Sequence, residues 1–117
     1  MMKEHVMRLK DAPFSMIECG QKTIELRLWD EKRQQIRVGD CIRFLHANEE
    51  TRMLICAVVA LHRFSTFEEL YKALPLRSCG YTEEELSTAH SEDMELYYSK
   101  EEQARYGVVG IEIALIN

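Results

Sequence analysis

The chain has 117 residues, of which 46% are hydrophobic and 30% are charged, and it carries a formal net charge of -5 with only 5 glycines and 2 prolines. This length predicts a single domain spanning residues 1–117, and the ordinary apolar content excludes intrinsic disorder and a two-domain enzyme. The longest apolar run, residues 53–61, is about half of the roughly 20 residues that a membrane-spanning helix requires. We therefore expect a soluble cytoplasmic protein without a membrane partner.

The negative charge is concentrated in the second part of the chain. Residues 1–64 contain 11 Lys and Arg against 9 Asp and Glu, whereas residues 65–117 contain 4 against 11. An acidic total disfavours non-specific binding of a polyanion, but this distribution leaves room for a local basic cleft in the first part.

Cysteines and histidines are scattered along the sequence. The four cysteines are separated by 22, 15 and 23 residues, without a Cys-x-x-Cys pair. Zinc sites usually begin with such a pair, and secreted disulfide scaffolds are denser in cysteine. We expect reduced thiols that serve as small core residues, no metal site and no cofactor.

In the first half, the periodicity of apolar residues predicts strands and one short helix. Residues 3–10 alternate as a strand, after which Asp11 offers a helix N-cap and Gly20 ends the helix. Residues 22–29 alternate with period two, as expected of a half-buried strand. A polar loop and a hairpin of two strands follow, at residues 30–35, 41–47 and 52–64.

The second half predicts helices and a final strand. Three N-terminal signals mark the helices: Ser65 or Thr66 before residues 67–74, Thr82 with Glu85 before a segment to about residue 98, and Ser99 with Glu102 before a short helix to Tyr106. Residues 108–116 alternate with Glu112 as their only charge, which predicts an interior strand. The order of elements indicates an α+β fold with a mostly antiparallel, strongly curved sheet or small barrel and flanking helices.

Residues 20–27 stand out because charged side chains alternate with apolar ones in an otherwise regular strand. By period-two alternation, Glu25 and Arg27 share a face and lie about 7 Å apart, close enough to hold one ligand. Lys22 falls on the opposite, apolar side with Ile24, which is costly unless it has a partner or ligand. The alternative is a solvated strand face with ordinary cross-strand pairs.

This octapeptide resembles the signature of the ASCH domain family, Gly-x-Lys-x-x-Glu-x-Arg. All of its fixed positions are filled, by Gly20, Lys22, Glu25 and Arg27. The resemblance covers nearly the whole chain and includes the stretches at residues 28–33, 38–44, 98–102 and 106–111. It implies a PUA-like fold, which is a small barrel-like sheet with helices packed around it and a cleft lined by the motif.

The family is thought to act on or bind RNA or nucleotides. The resemblance therefore implies that Lys22 and Arg27 contact a phosphate or a base carbonyl, while Glu25 accepts a hydrogen bond from an exocyclic amine or orients Lys22. Thr23, within the motif, is a further ligand-binding candidate. Three aromatic residues are candidates for stacking a base, although each also suits the core or its rim: Trp29, Tyr98 and Tyr106. Four basic residues offer either a phosphate track or a solubilising surface: Lys32, Arg33, Arg37 and Arg43.

The motif also resembles that of a related branch, the small ASCH-type amidohydrolases that remove the acetyl group from acetylated cytidine. They use a Lys, a nucleophilic Thr and a Glu, the first two from the stretch Gly-x-Lys-Thr-x-Thr. Lys22 and Thr23 match this stretch, but Glu25 stands where the nucleophilic Thr is expected. The covalent route therefore lacks its nucleophile, whereas a water activated by Glu25 beside a desolvated Lys22 is still a route to hydrolysis. Lys22 and Glu25 are thus the catalytic candidates of a chain whose enzymatic nature the sequence leaves open.

Three functions are compatible with these residues. The first is a binding module for RNA, a nucleotide or a nucleoside, with the ligand in the cleft lined by the motif. The second is a small hydrolase that acts on modified nucleosides or RNA. The third is a protein-interaction module that uses the acidic helices around residues 83–95.

Overall fold

A five-stranded sheet organises the part of the chain that the computed structural model describes, residues 2–116. Its strands are β1 (Glu4–Leu9), β2 (Ile24–Leu28), β3 (Cys41–His46), β4 (Met53–Phe64) and β5 (Val108–Leu115). They lie in the order β1-β3-β4-β5-β2, in which β1 and β3 are parallel and the other neighbours are antiparallel. The sheet curls into a half-barrel, so the predicted α+β fold with a mostly antiparallel, curved sheet and flanking helices is confirmed.

Two predictions about strand neighbours are also confirmed. The strands predicted at residues 41–47 and 52–64 form the antiparallel pair β3 and β4. The last strand, β5, lies between β4 and β2 and is therefore interior. Its two neighbours supply hydrogen bonds along both of its edges, which suits a strand with a single charged residue.

The α-helices of the described residues are α1 (Asp11–Glu18), α2 (Phe67–Ala73) and α3 (Lys100–Tyr106). At α2, the Thr66 hydroxyl accepts a hydrogen bond from the Glu69 N–H at 3.2 Å, which satisfies one of the free donors of the first turn. At α3, Ser99 and Glu102 form the predicted capping box, and Gly107 ends the helix at a φ of 72° that favours glycine.

The start of α1 differs from the prediction. Asp11 lies in the first turn of the helix, and the N-cap position is held by Lys10, which makes no side-chain capping bond. The Asp11 carboxylate is engaged elsewhere, because its Oδ1 lies 3.0 Å from Nε2 of the buried His46. Asp11 therefore contacts His46 and does not form the capping bond that the sequence predicted.

Residues 82–98 also differ from the prediction of a helical segment. Thr82 and Glu85 form the predicted capping box, but the described helices that follow are short 3₁₀ helices, Leu86–Thr88 and Ser91–Leu96. Of the apolar residues in this segment Met94 is buried, whereas Leu96 is 85% exposed. Without a continuous apolar stripe, packing does not favour an α-helix here.

Apolar side chains form two clusters, one on each face of β5. Val109 and Ile111 belong to the first cluster, which is enclosed by α1 and by residues of β1, β3 and β4. Val108 belongs to the second cluster, in which β2 packs against Phe67 and Leu70 of α2. The second cluster fixes β2 at one edge of the sheet, with its Glu25 and Arg27 on the same face as Val109 and Ile111.

The turn at residues 38–40 leads into β3 and is fixed by Asp40. The Asp40 carboxylate accepts hydrogen bonds from the main-chain N–H groups of Lys3 and Arg37, both at 3.0 Å, and from His5 Nε2 at 2.9 Å. These bonds, above all the one from His5, lower the pKa of Asp40 to about 2. The carboxylate is therefore buried and ionised as part of the fold.

Candidate functional site

A buried carboxylate with two cationic partners lies at the start of β2. Lys22 Nζ is 2.7 Å from Glu25 Oε1, and Arg27 Nη2 is 2.7 Å from Glu25 Oε2, to which Arg27 Nε also donates at 2.8 Å. The side chains of Lys22, Glu25 and Arg27 are 10%, 5% and 15% exposed. We call these three residues the Glu25 cluster; the sequence analysis predicted all three as site residues.

Lys22 reaches Glu25 because β2 begins at Ile24 and residue 22 precedes it. The Lys22 N–H donates to Met16 O in α1 at 3.0 Å, so this residue lies in a connection where strand alternation does not apply. Lys22 therefore has the partner that the sequence analysis required of it, although strand alternation does not account for its position. The alternative of a solvated strand face is wrong, since Glu25 is 4% exposed.

Mutual attraction keeps Glu25 and Arg27 ionised. Burial acts to raise the pKa of Glu25, but the charges of Lys22 and Arg27 and the hydrogen bonds from both outweigh it, so this pKa is lowered. Burial acts to lower the pKa of Arg27, but attraction to Glu25 and interaction with Tyr98 outweigh it, so this pKa is raised. With its lysine, the Glu25 cluster carries one excess positive charge.

Arg27 also connects the two edges of the sheet. Its Nη2 donates a hydrogen bond of 3.4 Å to the main-chain O of Arg8 at the end of β1. Because β1 and β2 are the first and last strands in the order of the sheet, this bond spans the opening of the half-barrel.

The loop at residues 75–81 covers the beginning of β2. Ser78 O accepts hydrogen bonds from the N–H groups of Thr23 and Ile24 at 2.9 and 3.0 Å. Gly80 packs against the stem of Lys22, since a Cβ at residue 80 would lie 3.2 Å from Lys22 Cδ. Its φ of 109° also favours glycine, so this loop residue leaves the space that the lysine occupies.

Cys79, in the same loop, is a neighbour of the Glu25 cluster that the sequence analysis missed. It is 6% exposed, and burial raises its pKa to about 11 against the opposing effect of the Lys22 charge. Such a thiol is protonated at neutral pH and is a weak nucleophile. All four cysteines are free; Cys56 and Cys79 are buried as predicted, whereas Cys19 is exposed and Cys41 is half-buried.

Tyr98 and Thr23 occupy different environments. Tyr98 is half-buried, stacks on Phe67 with ring centroids 6.2 Å apart, and interacts electrostatically with Arg27, which places it beside the Glu25 cluster. Thr23 is exposed, and its main chain ties the loop to the sheet, since its carbonyl accepts from Ile113 N–H at 2.9 Å. The structure thus brings Tyr98 to the cluster and leaves the Thr23 side chain at the surface.

Trp29 and Tyr106 line a separate groove of about 530 Å³. The Arg63 guanidinium lies 4.7 Å from the centre of the Trp29 ring, and the Arg105 guanidinium lies 5.1 Å from the centre of the Tyr106 ring. The Tyr106 hydroxyl donates to Glu31 Oε1 at 3.3 Å. We call the surface formed by Trp29, Arg63, Arg105 and Tyr106 the aromatic groove.

The four basic residues proposed as a phosphate track do not act as free cations together. Arg33 pairs with Asp30 at 3.2 Å, and Arg43 pairs with Glu4 at 3.0 Å. Arg43 also lies on the sheet face opposite Phe44, away from the Glu25 cluster.

Within residues 2–116, no three histidine, cysteine or acidic side chains come together as a metal site. No helix in that range is long and apolar enough to cross a membrane.

The fold and the cluster together define a class of protein: a half-barrel α+β domain with a charged motif at one edge strand. The model of the ASCH domain matches residues 7–117, so the chain belongs to the ASCH domain family, which is associated with RNA binding. The predicted resemblance is confirmed. No curated protein sequence matches the chain significantly.

Solved structures with the same fold include three informative relatives. The crystal structure of the hypothetical protein PH0355 is 30% identical, with a TM-score of 0.79 over 97% of this chain and 100% of that one. The solution structure of PF0455 from Pyrococcus furiosus is 28% identical, with a TM-score of 0.69 over 98% and 99% of the two chains. A mutant of ZmASCH from Zymomonas mobilis is 15% identical, with a TM-score of 0.67 over 98% and 74%, and shares the fold.

Proposed function

We propose that this chain binds RNA or a nucleotide through the Glu25 cluster, and that it does so in the cytoplasm. The observation that carries the proposal is one buried carboxylate held by two cationic side chains, which leaves one excess positive charge at an edge strand. Membership of a family associated with RNA binding supports the same ligand class.

The donors of the cluster suit a phosphate or a base carbonyl. Arg27 has five N–H donors and Lys22 has three, and their bonds to Glu25 and to Arg8 O use only part of them. Hydrogen bonds in which the donor is ionised are shorter and stronger than neutral ones. Because Glu25 holds the two cations in place, a ligand meets donors whose orientation is already fixed.

A titration of labelled single-stranded RNA at low salt tests this proposal. We expect the double variant Lys22→Ala, Arg27→Ala to bind at least about tenfold more weakly, which corresponds to a loss of about 1.4 kcal/mol. The salt dependence of binding should also become shallower, because fewer counterions are released. Circular dichroism of each variant confirms that the fold is retained.

The matched control is the double variant Lys72→Ala, Arg43→Ala. It removes the same two kinds of charge from ion pairs that lie away from the Glu25 cluster, with Glu68 and Glu4. Its RNA affinity should stay within about twofold of the wild type, since exposed ion pairs contribute little. Equal affinity of the wild type and the cluster variant would overturn the proposal.

Hydrolysis of a modified nucleoside is the second candidate function. The contact of 2.7 Å between Lys22 Nζ and Glu25 Oε1 in a largely buried position favours it. Against it, the lowered pKa of Glu25 makes its carboxylate a weaker general base, and the Thr23 side chain is exposed. Incubation with acetylated cytidine tests this function; release of cytidine that disappears in Lys22→Ala supports it, and equal release by both proteins contradicts it.

A further inference from the structure

Two residues of the aromatic groove, Trp29 and Arg63, lie on the same face of the sheet as the Glu25 cluster, whereas Tyr106 packs against the second apolar cluster. Arg27 of β2 is paired with Val109 of β5, and Val109 is paired with Arg63 of β4. These three residues form one row across the sheet, so the Cα atoms of Arg27 and Arg63 are two strand spacings, about 10 Å, apart. Trp29 packs against the core cluster that contains Val109, which places it beside this row.

The groove also concentrates arginines that have no acidic partner. Among the described residues, six of the nine arginines have a carboxylate oxygen within 4.0 Å: Arg8, Arg27, Arg33, Arg43, Arg52 and Arg77. Of the other three, Arg63 and Arg105 both line the aromatic groove, and Arg37 lies elsewhere. In an acidic chain, two unpaired arginines in one groove mark a place where an anionic group is favoured.

The size and the side chains of the groove suit a nucleotide. Its volume of about 530 Å³ lies within the range of small-ligand sites. Bases stack on aromatic rings and on guanidinium planes alike, and the groove offers both in the Trp29–Arg63 and Tyr106–Arg105 pairs. Glu69 lines the groove and Glu31 accepts a hydrogen bond from the Tyr106 hydroxyl, but neither carboxylate forms an ion pair with Arg63 or Arg105 within 4.0 Å.

We propose that the aromatic groove is a second subsite, which binds an adjacent nucleotide of single-stranded RNA while the Glu25 cluster holds the first. This inference rests on the proposed function and narrows the ligand from any nucleotide to single-stranded RNA. The base stacks on the aromatic and guanidinium surfaces, and Arg63 and Arg105 contact the phosphate. A free mononucleotide binds at the Glu25 cluster and leaves the aromatic groove empty.

Trp29 reports on this subsite because it is the single tryptophan of the chain. Adenosine monophosphate and a hexamer of adenylate are titrated separately into the full chain, and both tryptophan fluorescence and affinity are followed. We expect the hexamer to change the fluorescence and to bind about tenfold or more tightly than the monophosphate, since stacking adds to its binding.

The variant Arg63→Gln, Arg105→Gln removes the two charges of the groove from exposed positions. We expect it to bind the hexamer about tenfold more weakly and the monophosphate within about twofold of the wild type. The control Arg37→Gln removes the third arginine without a carboxylate partner, which is exposed and lies in another cavity. It should bind the hexamer as the wild type does.

Three outcomes would overturn the subsite. The first is that the hexamer and the monophosphate bind the wild type with equal affinity. The second is that the double variant Arg63→Gln, Arg105→Gln binds the hexamer with the same affinity as Arg37→Gln. If either occurs while Lys22→Ala, Arg27→Ala still weakens binding, the subsite is wrong and the proposed function stands. If neither ligand binds to the wild type, both proposals fail.

Discussion

Two carboxylates of this protein are buried to the same extent, yet they are held in different ways. Glu25 and Asp40 are each 4% exposed. Asp40 is held by two main-chain N–H groups and a histidine, which the fold fixes, whereas Glu25 is held by Lys22 and Arg27. Main-chain donors have one hydrogen each and are used up, while the two cationic side chains keep donors to spare. The kind of partner, more than burial itself, separates the candidate site from the scaffold.

The largest expected effect comes from removing the carboxylate of the site. Glu25→Ala leaves Lys22 and Arg27 as two buried, unpaired cations, so we expect it to lower the free energy of unfolding by about 3–5 kcal/mol. Urea denaturation at pH 7 measures this loss. Glu68→Ala, which breaks an exposed pair with Lys72, is the control and should cost less than about 1 kcal/mol. Similar losses in both variants would contradict the buried role of Glu25.

A smaller effect is expected at the scaffold carboxylate, and it depends on pH. The pKa of Asp40 falls from 3.8 to about 2 on folding, so its contribution of about 2 kcal/mol is present above pH 4 and is lost as the pH falls to about 2. Asp40→Asn should therefore be less stable by about that amount at pH 7 and show a flatter dependence between pH 4 and 2.

Urea denaturation of both proteins at pH 7, 4 and 2.5 checks this prediction. Because the pKa of Glu25 is lowered, its protonation in acid destabilises both proteins alike. The difference in stability between the two proteins therefore isolates the contribution of Asp40. If wild type and Asp40→Asn lose stability in parallel over this range, the bonds from Lys3, Arg37 and His5 do not have the role described above.

The smallest effect on stability should come from replacing the whole Glu25 cluster by apolar residues. Buried ion pairs often contribute no more than well-packed apolar side chains of similar volume. We expect Lys22→Met, Glu25→Leu, Arg27→Met to unfold within about 1 kcal/mol of the wild type, or to be more stable, and to lose RNA binding. A variant as unstable as Glu25→Ala would show that the cluster serves the fold, and unchanged RNA affinity would contradict the proposed function.

Local signals in the sequence predicted much of the fold. Alternation identified β2, β3, β4 and β5, and the capping boxes at Thr82 and Ser99 form as predicted. These features depend on neighbours within a few residues, which is why the sequence specifies them. The helical segment predicted after Thr82 is divided into two short 3₁₀ helices, because a continuous helix depends on burial and Met94 is the segment's only buried apolar residue among those described.

The composition of the site was predictable from the motif, but its geometry was not. The contact between Lys22 and Glu25 depends on where β2 starts, which α1 and the loop at residues 75–81 determine through bonds to Met16 O and Ser78 O. Cys79 and Gly80 reach the cluster from more than 50 residues away along the chain. Such long-range packing leaves no periodic signal at either end, so only the folded chain reveals it.

The hydrogen bond from Arg27 to Arg8 O links the two edge strands of the curled sheet. Each strand is tied to the next by its ladder, and this single side chain links the last strand back to the first. The position of the Arg27 guanidinium is therefore coupled to the distance between the two edge strands. Under the proposed function, a phosphate that draws the guanidinium toward itself would lengthen this bond, and a change in the width of the opening would move the guanidinium in return.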